Sequence, residues 1–521
     1  MVTARLPFVG SLTGKKKKTK SAGARAKSPI KVSSRELFFD LFTHISYMAA
    51  LATAKVSRAE MFSRAARLDL ASTRYFLEIQ TLADRLGFDY AESCRLVGER
   101  ISNPDASQLL LRMSGSLSAG EDEAEFLTRE ARVMAAQYEA QYEADIESMK
   151  KWTDAYVALS VSAILIVVVT IVSTMIYDMG ASTLILVVLA VVMVVGFGAW
   201  VIKASAPREA FARSAGLSSA HQLLAMRTFR ISVPLGVSAA GLLYIAGAGL
   251  GWAFIALGVG LIPPGFIMNW DARKLSKRDN DLSTTMRMLG GVTSAMSATV
   301  AEALNHIDKR SMASLEPYLA RLQVRMNARI DADKCWKRFV QETGSEMIDR
   351  TVRIFWDAIR VGGDADQVGQ NTAYFAATVT ALRMKRALVS STFQFLVFPL
   401  HGAVVGLLIF IINVMSLFGQ ILIDSAPEQT YEFSTRSPEI EAAANSLSSF
   451  GVANMEFLNL LIMTTVISLT IANAFAISFA SGGHWMRTTF NLGVLGLVSG
   501  ILMVIIPGAA DGVFAAVTDN Q

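Results

Sequence analysis

The chain has 521 residues, 52% of them hydrophobic, with a mean hydropathy of +0.39. So apolar a composition excludes an ordinary soluble globular protein and points to membrane spans. The formal net charge of +5 is unevenly spread, and two cysteines, Cys94 and Cys335, exclude a disulfide framework.

Residues 1–34 carry Arg5, Lys15, Lys16, Lys17, Lys18, Lys20, Arg25, Lys27 and Lys31 and no acid. They lack the apolar stretch of a signal peptide, so a disordered basic tail beside anionic lipid on the cytoplasmic face is expected. "VGSLTGKKKKTK" is not a phosphate loop. Gly10 to Gly14 is one residue short, and Lys16 stands where Ser or Thr must hold Mg²⁺.

Residues 35–152 read as a first helical domain on the cytoplasmic side. Ser57-Arg-Ala-Glu60 has the form of a capping box. Cys94 reads as a reduced, buried apolar residue. The helical run "LRMSGSLSAG" ends at Gly120 and is followed by Glu121. Glycine takes a left-handed cap without steric cost, and an acid favours the positive end of the next helix. That next helix runs without Gly or Pro from about 123 to 177. Roughly 54 residues make a rod of about 80 Å, of which a bilayer core takes about 30 Å.

Seven runs are long and apolar enough to span: 155–177, 181–202, 231–248 and 252–270 within 153–270, then 394–418, 457–480 and 489–507 within 394–510. Lys203, Arg208, Arg213, Arg227 and Arg230 crowd the loop after the second span, and "DARKLSKR" follows the fourth. The loop 419–456 is acidic, as is the tail 511–521. The positive-inside rule then puts the N-terminus in the cytoplasm and the C-terminus outside.

Between the two sets of spans, residues 271–393 read as a second helical domain that repeats the first. Thr299-Val-Ala-Glu302 matches the first capping box, Cys335 matches Cys94, and "VGGDADQ" matches "SAGEDE", with Gly363 and Asp364 as the second elbow. The offsets are 241–243 residues, which argues for duplication. Both rods enter the membrane in the same direction, so the repeats are parallel rather than inverted. The expected fold is an all-α polytopic membrane protein with about seven transmembrane helices and two homologous cytoplasmic helical bundles.

Signals of catalysis or of a cofactor are missing. The five histidines have no metal-ligand spacing, and no HExxH, GxSxG or Walker motif is present. Within the spans the polar candidates are His401, Asn413 and Asn473, read as helix-packing groups. Basic residues recur at Arg273, Lys274, Lys277 and Arg278, then at Lys309 and Arg310. Positive-inside bias and solvated helix faces account for them; docking of an acidic cytoplasmic partner is the functional alternative.

In order, spacing and topology the chain resembles the archaellum platform proteins of the FlaJ/ArlJ type, within the type II secretion system F-domain family. "RVGGDADQVGQ", "AMSATVAEAL" and "FPLHGAVVGLLIFI" carry the likeness, over about 35–510. The first copy departs from the pattern with Ala119-Gly120-Glu121 in place of Gly-Gly-Asp. The resemblance implies a non-enzymatic platform in the cell membrane for a type IV pilus-like filament. It would be a homodimer seated on a cytoplasmic hexameric secretion ATPase, lifting pilin or archaellin subunits for motility, with no nucleic acid involved. An adhesive pilus platform is the alternative within this class. A membrane transporter would need intramembrane charges and inverted repeats, and a membrane enzyme would need clustered His, Asp or Cys.

Overall fold

The computed structural model describes residues 34–174, 181–207, 220–424 and 455–518, and every regular element among them is helical. The basic tail at 1–33, residues 175–180, the loop residues 208–219 and 425–454, and residues 519–521 lie outside the described residues, with the expectations that rest on them.

The first segment folds as α1 (Ser34–Ala52), α2 (Arg58–Ala65), α3 (Thr73–Leu86), α4 (Tyr90–Arg100) and α5 (Pro104–Ala119). It then enters α6 (Glu123–Ser173). The rod expected from 123 is a single helix of 51 residues. Three apolar helices follow: α7 (Ala181–Ser205), α8 (Ala220–Ile245) and α9 (Leu250–Met296). The second segment continues as α10 (Val300–His306), a 3₁₀ turn at Lys309–Met312, α11 (Glu316–Asn327), α12 (Ala332–Thr343) and α13 (Glu346–Arg360). The 60-residue α14 (Ala365–Asp424) comes next, then α15 (Met455–Ser481) and α16 (Arg487–Thr518). Seven of these helices are long and apolar enough to cross a membrane, as the sequence indicated.

Two helices run on past the apolar stretches that mark the spans. The helix that carries the fourth span does not end with the apolar run at 270. It continues as α9 to Met296, because no Gly or Pro interrupts 271–289 and the polar residues there all tolerate a helix. The C-terminal tail expected from 511 continues α16 to Thr518, in an Ala-containing stretch that favours the helix.

The duplication is written in the backbone. Four helix N-caps recur 242 positions apart: Ser57 and Thr299, Asp89 and Asp331, Asn103 and Ser345, Asp122 and Asp364. Three left-handed residues recur at the same interval: Lys55 and Ser297, Gly87 and Arg329, Gly120 and Gly362. The capping box is complete only in the second copy, since Glu60 turns to Arg64 instead of reaching back to Ser57. The last third of α9 therefore stands where α1 stands in the first copy.

The two copies share one hydrophobic core. Phe42, Met48, Phe62 and Phe76 of the first belong to the same buried cluster as Phe339, Phe355 and Phe375 of the second. α1 packs on α6 of its own copy and also on α13 and α14 of the other. A second core joins α6, α7, α14, α15 and α16 within the apolar half. There α9 and α16 approach backbone to backbone along Gly251, Gly258, Gly493 and Gly500. A Cβ at Gly258 would lie 2.8 Å from the Gly493 carbonyl oxygen. Such small-residue seams let apolar helices pack closely where lipid gives no hydrophobic drive.

Candidate functional site

The most consequential contacts are those tying one copy to the other and the polar helices to the spans. Arg350 on α13 forms the central link between copies. It pairs with Asp40 of α1 at 2.6 Å, donates to Thr43 Oγ1 at 3.2 Å, and lies over the Phe39 ring at 4.6 Å. One helical turn and more along α1, the Tyr47 hydroxyl donates to Asp357 at 3.1 Å. Burial, reinforced by the Asp357 charge, pushes the Tyr47 phenol upward, so it stays a donor. Between the two rods, Lys385 of α14 pairs with Glu143 and Glu139 of α6. Lys385 and Glu143 are equivalent positions, so α6 and α14 meet near the axis relating the copies.

The elbows are built as the sequence suggested, with a shift of one residue. Gly120 is left-handed (φ 69°), but Asp122, not Glu121, caps α6 by accepting from the Glu125 amide at 2.9 Å. Glu121 instead pairs with Arg129 and accepts from Ser116, and those bonds hold its carboxyl below the usual range. In the second copy Gly362 is the left-handed residue (φ 92°), not Gly363, and Asp364 caps α14 at 3.0 Å. Gly363 is small for another reason: a Cβ there would lie 2.9 Å from Thr53 Oγ1 and from the Ala358 carbonyl oxygen. The second elbow thus presses directly on the end of α1.

Within the spans one buried hydrogen-bonded chain crosses four helices. The Tyr156 hydroxyl (α6) donates to Asn473 Oδ1 (α15) at 2.6 Å. The Asn473 amide donates to His401 Nδ1 (α14) at 3.2 Å, and His401 Nε2 then donates to Ser499 Oγ (α16) at 2.9 Å. Thr470 Oγ1 is 3.2 Å from Ser499 Oγ, whose proton reaches the Leu495 carbonyl. Because Nδ1 accepts and Nε2 donates, His401 is neutral in this arrangement. The crevice beside Tyr156 and Asn473 has about 10 Å³ of free volume, room for no more than one water. His401 and Asn473 thus bond from helix to helix inside the apolar half. Asn413 is not part of this chain; it donates to Ile409 of its own helix at 2.7 Å.

At the polar end of the spans, buried Arg386 of α14 donates to the carbonyls of Ala480 (3.2 Å), Phe479 (3.3 Å) and Pro207 (2.7 Å). It fastens α14 to the ends of α15 and α7, where carbonyl groups lack helical partners.

The chain is 21% identical to "Flagella accessory protein J" of Methanococcus voltae over 448 residues, 82% of this chain and 76% of that protein. It is 22% identical to the protein of the same name from Methanocaldococcus jannaschii over 429 residues, 78% of this chain and 72% of that one. This chain resembles flagella accessory protein J. No family model matches it, and no solved structure matches it.

The contacts described above join helix to helix and copy to copy. Among the described residues no group of three or more His, Cys, Asp or Glu could hold a metal ion. Cys94 and Cys335 are both buried and unpaired with each other, and burial pushes the Cys94 thiol up to about 12.

The basic candidates separate. Arg273, Lys277 and Arg310 are exposed, and Lys309 is half-buried. Lys274 lies over the Trp270 ring at 3.5 Å. Arg278 is not a surface group: it is 4% exposed and donates to the Thr343 carbonyl at 2.8 Å, stacked on Tyr318. It occupies the core-facing side of α9, one residue before buried Asp279, which pairs with Arg383. Arg350, Arg386, Tyr156, Thr470 and Ser499 were not singled out from sequence. Each looks like an ordinary surface charge or span residue until the helices that surround it are known.

Proposed function

We propose that this chain is the membrane platform of an archaeal type IV pilus-like filament machine, the archaellum. It couples a cytoplasmic hexameric secretion ATPase to assembly or rotation of a filament of pilin-like archaellin subunits. The observation that carries this is the similarity to flagella accessory protein J along about four-fifths of the chain. The architecture supports it. α6, α9 and α14 each run unbroken from the shared polar core into the spans, and a close-packed helix transmits displacement because it resists compression.

In this function the polar core lies in the cytoplasm, the N-terminus is inside and the C-terminus outside, and the platform works as a homodimer. Lys150, Lys151, Lys203, Arg273 and Lys274 all fall at the polar ends of their spans, which supports that orientation. Exposed Lys277 and Arg310, with half-buried Lys309 beside them, offer the motor a salt-sensitive contact. The chain performs no chemistry of its own.

Purification of the intact chain from native membranes tests this. A secretion ATPase and archaellin-like subunits are expected to copurify, and deletion of the gene should abolish swimming. Retained motility with lost surface attachment would favour an adhesive pilus platform. Copurification with neither ATPase nor filament subunits would remove the proposal.

A further inference from the structure

We propose that α9 and α14 are locked into one rigid strut that carries load between the polar core and the spans, with α6 as the compliant third link. Both helices belong to the second copy and to the apolar half at once. Close to the start of α14 their backbones touch. A Cβ on Gly369 would lie 2.8 Å from the Gly290 Cα, and one on Gly290 would lie 2.7 Å from the Gly369 Cα. A crossing packed this closely leaves no slack for sliding or rotation.

About three turns nearer the spans a second fastening is polar. Asp279 of α9 pairs with Arg383 of α14 at 3.0 Å, and the two side chains are only 7% and 9% exposed. Thr380 of α14 donates to the Asp279 carbonyl at 3.4 Å, and Ser345, the N-cap of α13, donates to Asp279 Oδ1 at 2.6 Å. Drawing the helices apart would split a buried ion pair, which is costly. One contact between two rods permits a pivot. Two contacts, here about 16 Å apart along α9, fix the angle as well as the distance.

The first copy has neither fastening. The positions 242 before Gly290 and Gly369 are Met48 and Leu127, whose side chains rule out a backbone contact. Those 242 before Asp279 and Arg383 are Leu37 and Gln141. The counterpart of the last third of α9 is α1, which packs on α13 and α14 as well as on α6. Among the described residues, α6 alone joins the first copy to the spans. Between Gln141 and Thr153 its buried residues are Tyr142, Ile146, Met149 and Thr153, a single narrow face. Its tie to α14 there, Lys385 with Glu139 and Glu143, is exposed, and exposed pairs hold weakly. A helix held on one face opens at lower free energy than one held on several. Displacement of the second copy therefore passes down α9 and α14 as a single body, tilt included, while α6 yields.

The strut is a property of the chain and needs no motor, so it is tested on the full chain alone, by hydrogen–deuterium exchange with mass spectrometry in lipid nanodiscs. Amides of 275–290 and 370–385 should exchange ~10-fold or more slowly than those of 141–153. Asp279→Asn should speed exchange in 275–290 and in 370–385 together, by ~10-fold or more. Arg100→Gln, which breaks an exposed pair with Glu78, should leave both segments unchanged. Exchange in 141–153 as slow as in the strut overturns the proposal. So does an Asp279→Asn chain in which only one strut helix, or neither, is accelerated. Should Asp279→Asn fail to fold, the comparison within the parent chain decides alone.

Discussion

Gly362 and Gly363 are neighbours with different physical duties. Gly362 supplies a left-handed bend, while Gly363 supplies space for Thr53. Gly363→Ala should therefore destabilise the protein by ~1–3 kcal/mol through overpacking. Thr53→Ala in the same chain should recover part of that loss, as read from thermal unfolding of the detergent-solubilised protein. No recovery would mean that the Ala358 carbonyl alone sets the constraint. His44 gives a pH prediction. It is fully buried, stacked on Phe76 at 3.8 Å and bonded to Ser72, and burial lowers its pKa to about 3. The unfolded chain binds this proton near pH 6.5 and the folded one does not. Stability contributed by the neutral ring is thus present above about 6.5 and lost as pH falls toward 3, with about 2 kcal/mol gone by pH 5. His44→Phe should flatten that slope in unfolding curves measured from pH 7 to pH 5.

At the scale of elements, the chain Tyr156–Asn473–His401–Ser499 holds α6, α15, α14 and α16 together inside the apolar half. A double-mutant cycle of Tyr156→Phe with Asn473→Ala should show a coupling of ~0.5–2 kcal/mol in unfolding from mixed micelles. His401→Gln should be milder, since an amide can still reach at least one of the two partners. A complete loss of function in His401→Gln with normal folding would instead speak for proton traffic. The rods themselves follow from composition: neither Gly nor Pro interrupts 123–173, and the single Pro399 does not end α14 because its neighbours on α15 and α16 hold the helix in place.

At the scale of the whole molecule, the basic residues of α9 divide into a surface set and a core set. Lys277→Glu with Arg310→Glu should weaken a salt-dependent pull-down of the secretion ATPase while leaving the unfolding midpoint within about 0.5 kcal/mol of the parent. Arg278→Glu should do the reverse of leaving the fold intact: it buries a carboxylate beside Asp279 and should destabilise by ~3–5 kcal/mol. Equal behaviour of the two variants would show that the division is wrong. The shared core has a related consequence. Because α1 packs on α13 and α14, the two copies move as a coupled pair rather than as independent levers.

Sequence alone determined the helical class, the seven spans, the long rod at 123 and the existence of the duplication. These depend on local quantities: apolar run length, Gly and Pro placement, and capping residues at a fixed interval. It placed the second elbow one residue off because Val-Gly-Gly-Asp offers two glycines, and only the path of the backbone decides which one is left-handed. It could not show that Arg278 faces inward, that Arg350 and Asp40 meet across 310 positions, or that Tyr156 completes a chain with Asn473. Those facts belong to the tertiary structure, because a side chain's partner is set by which helices pack around it, and helix packing is settled by surfaces far apart in the chain.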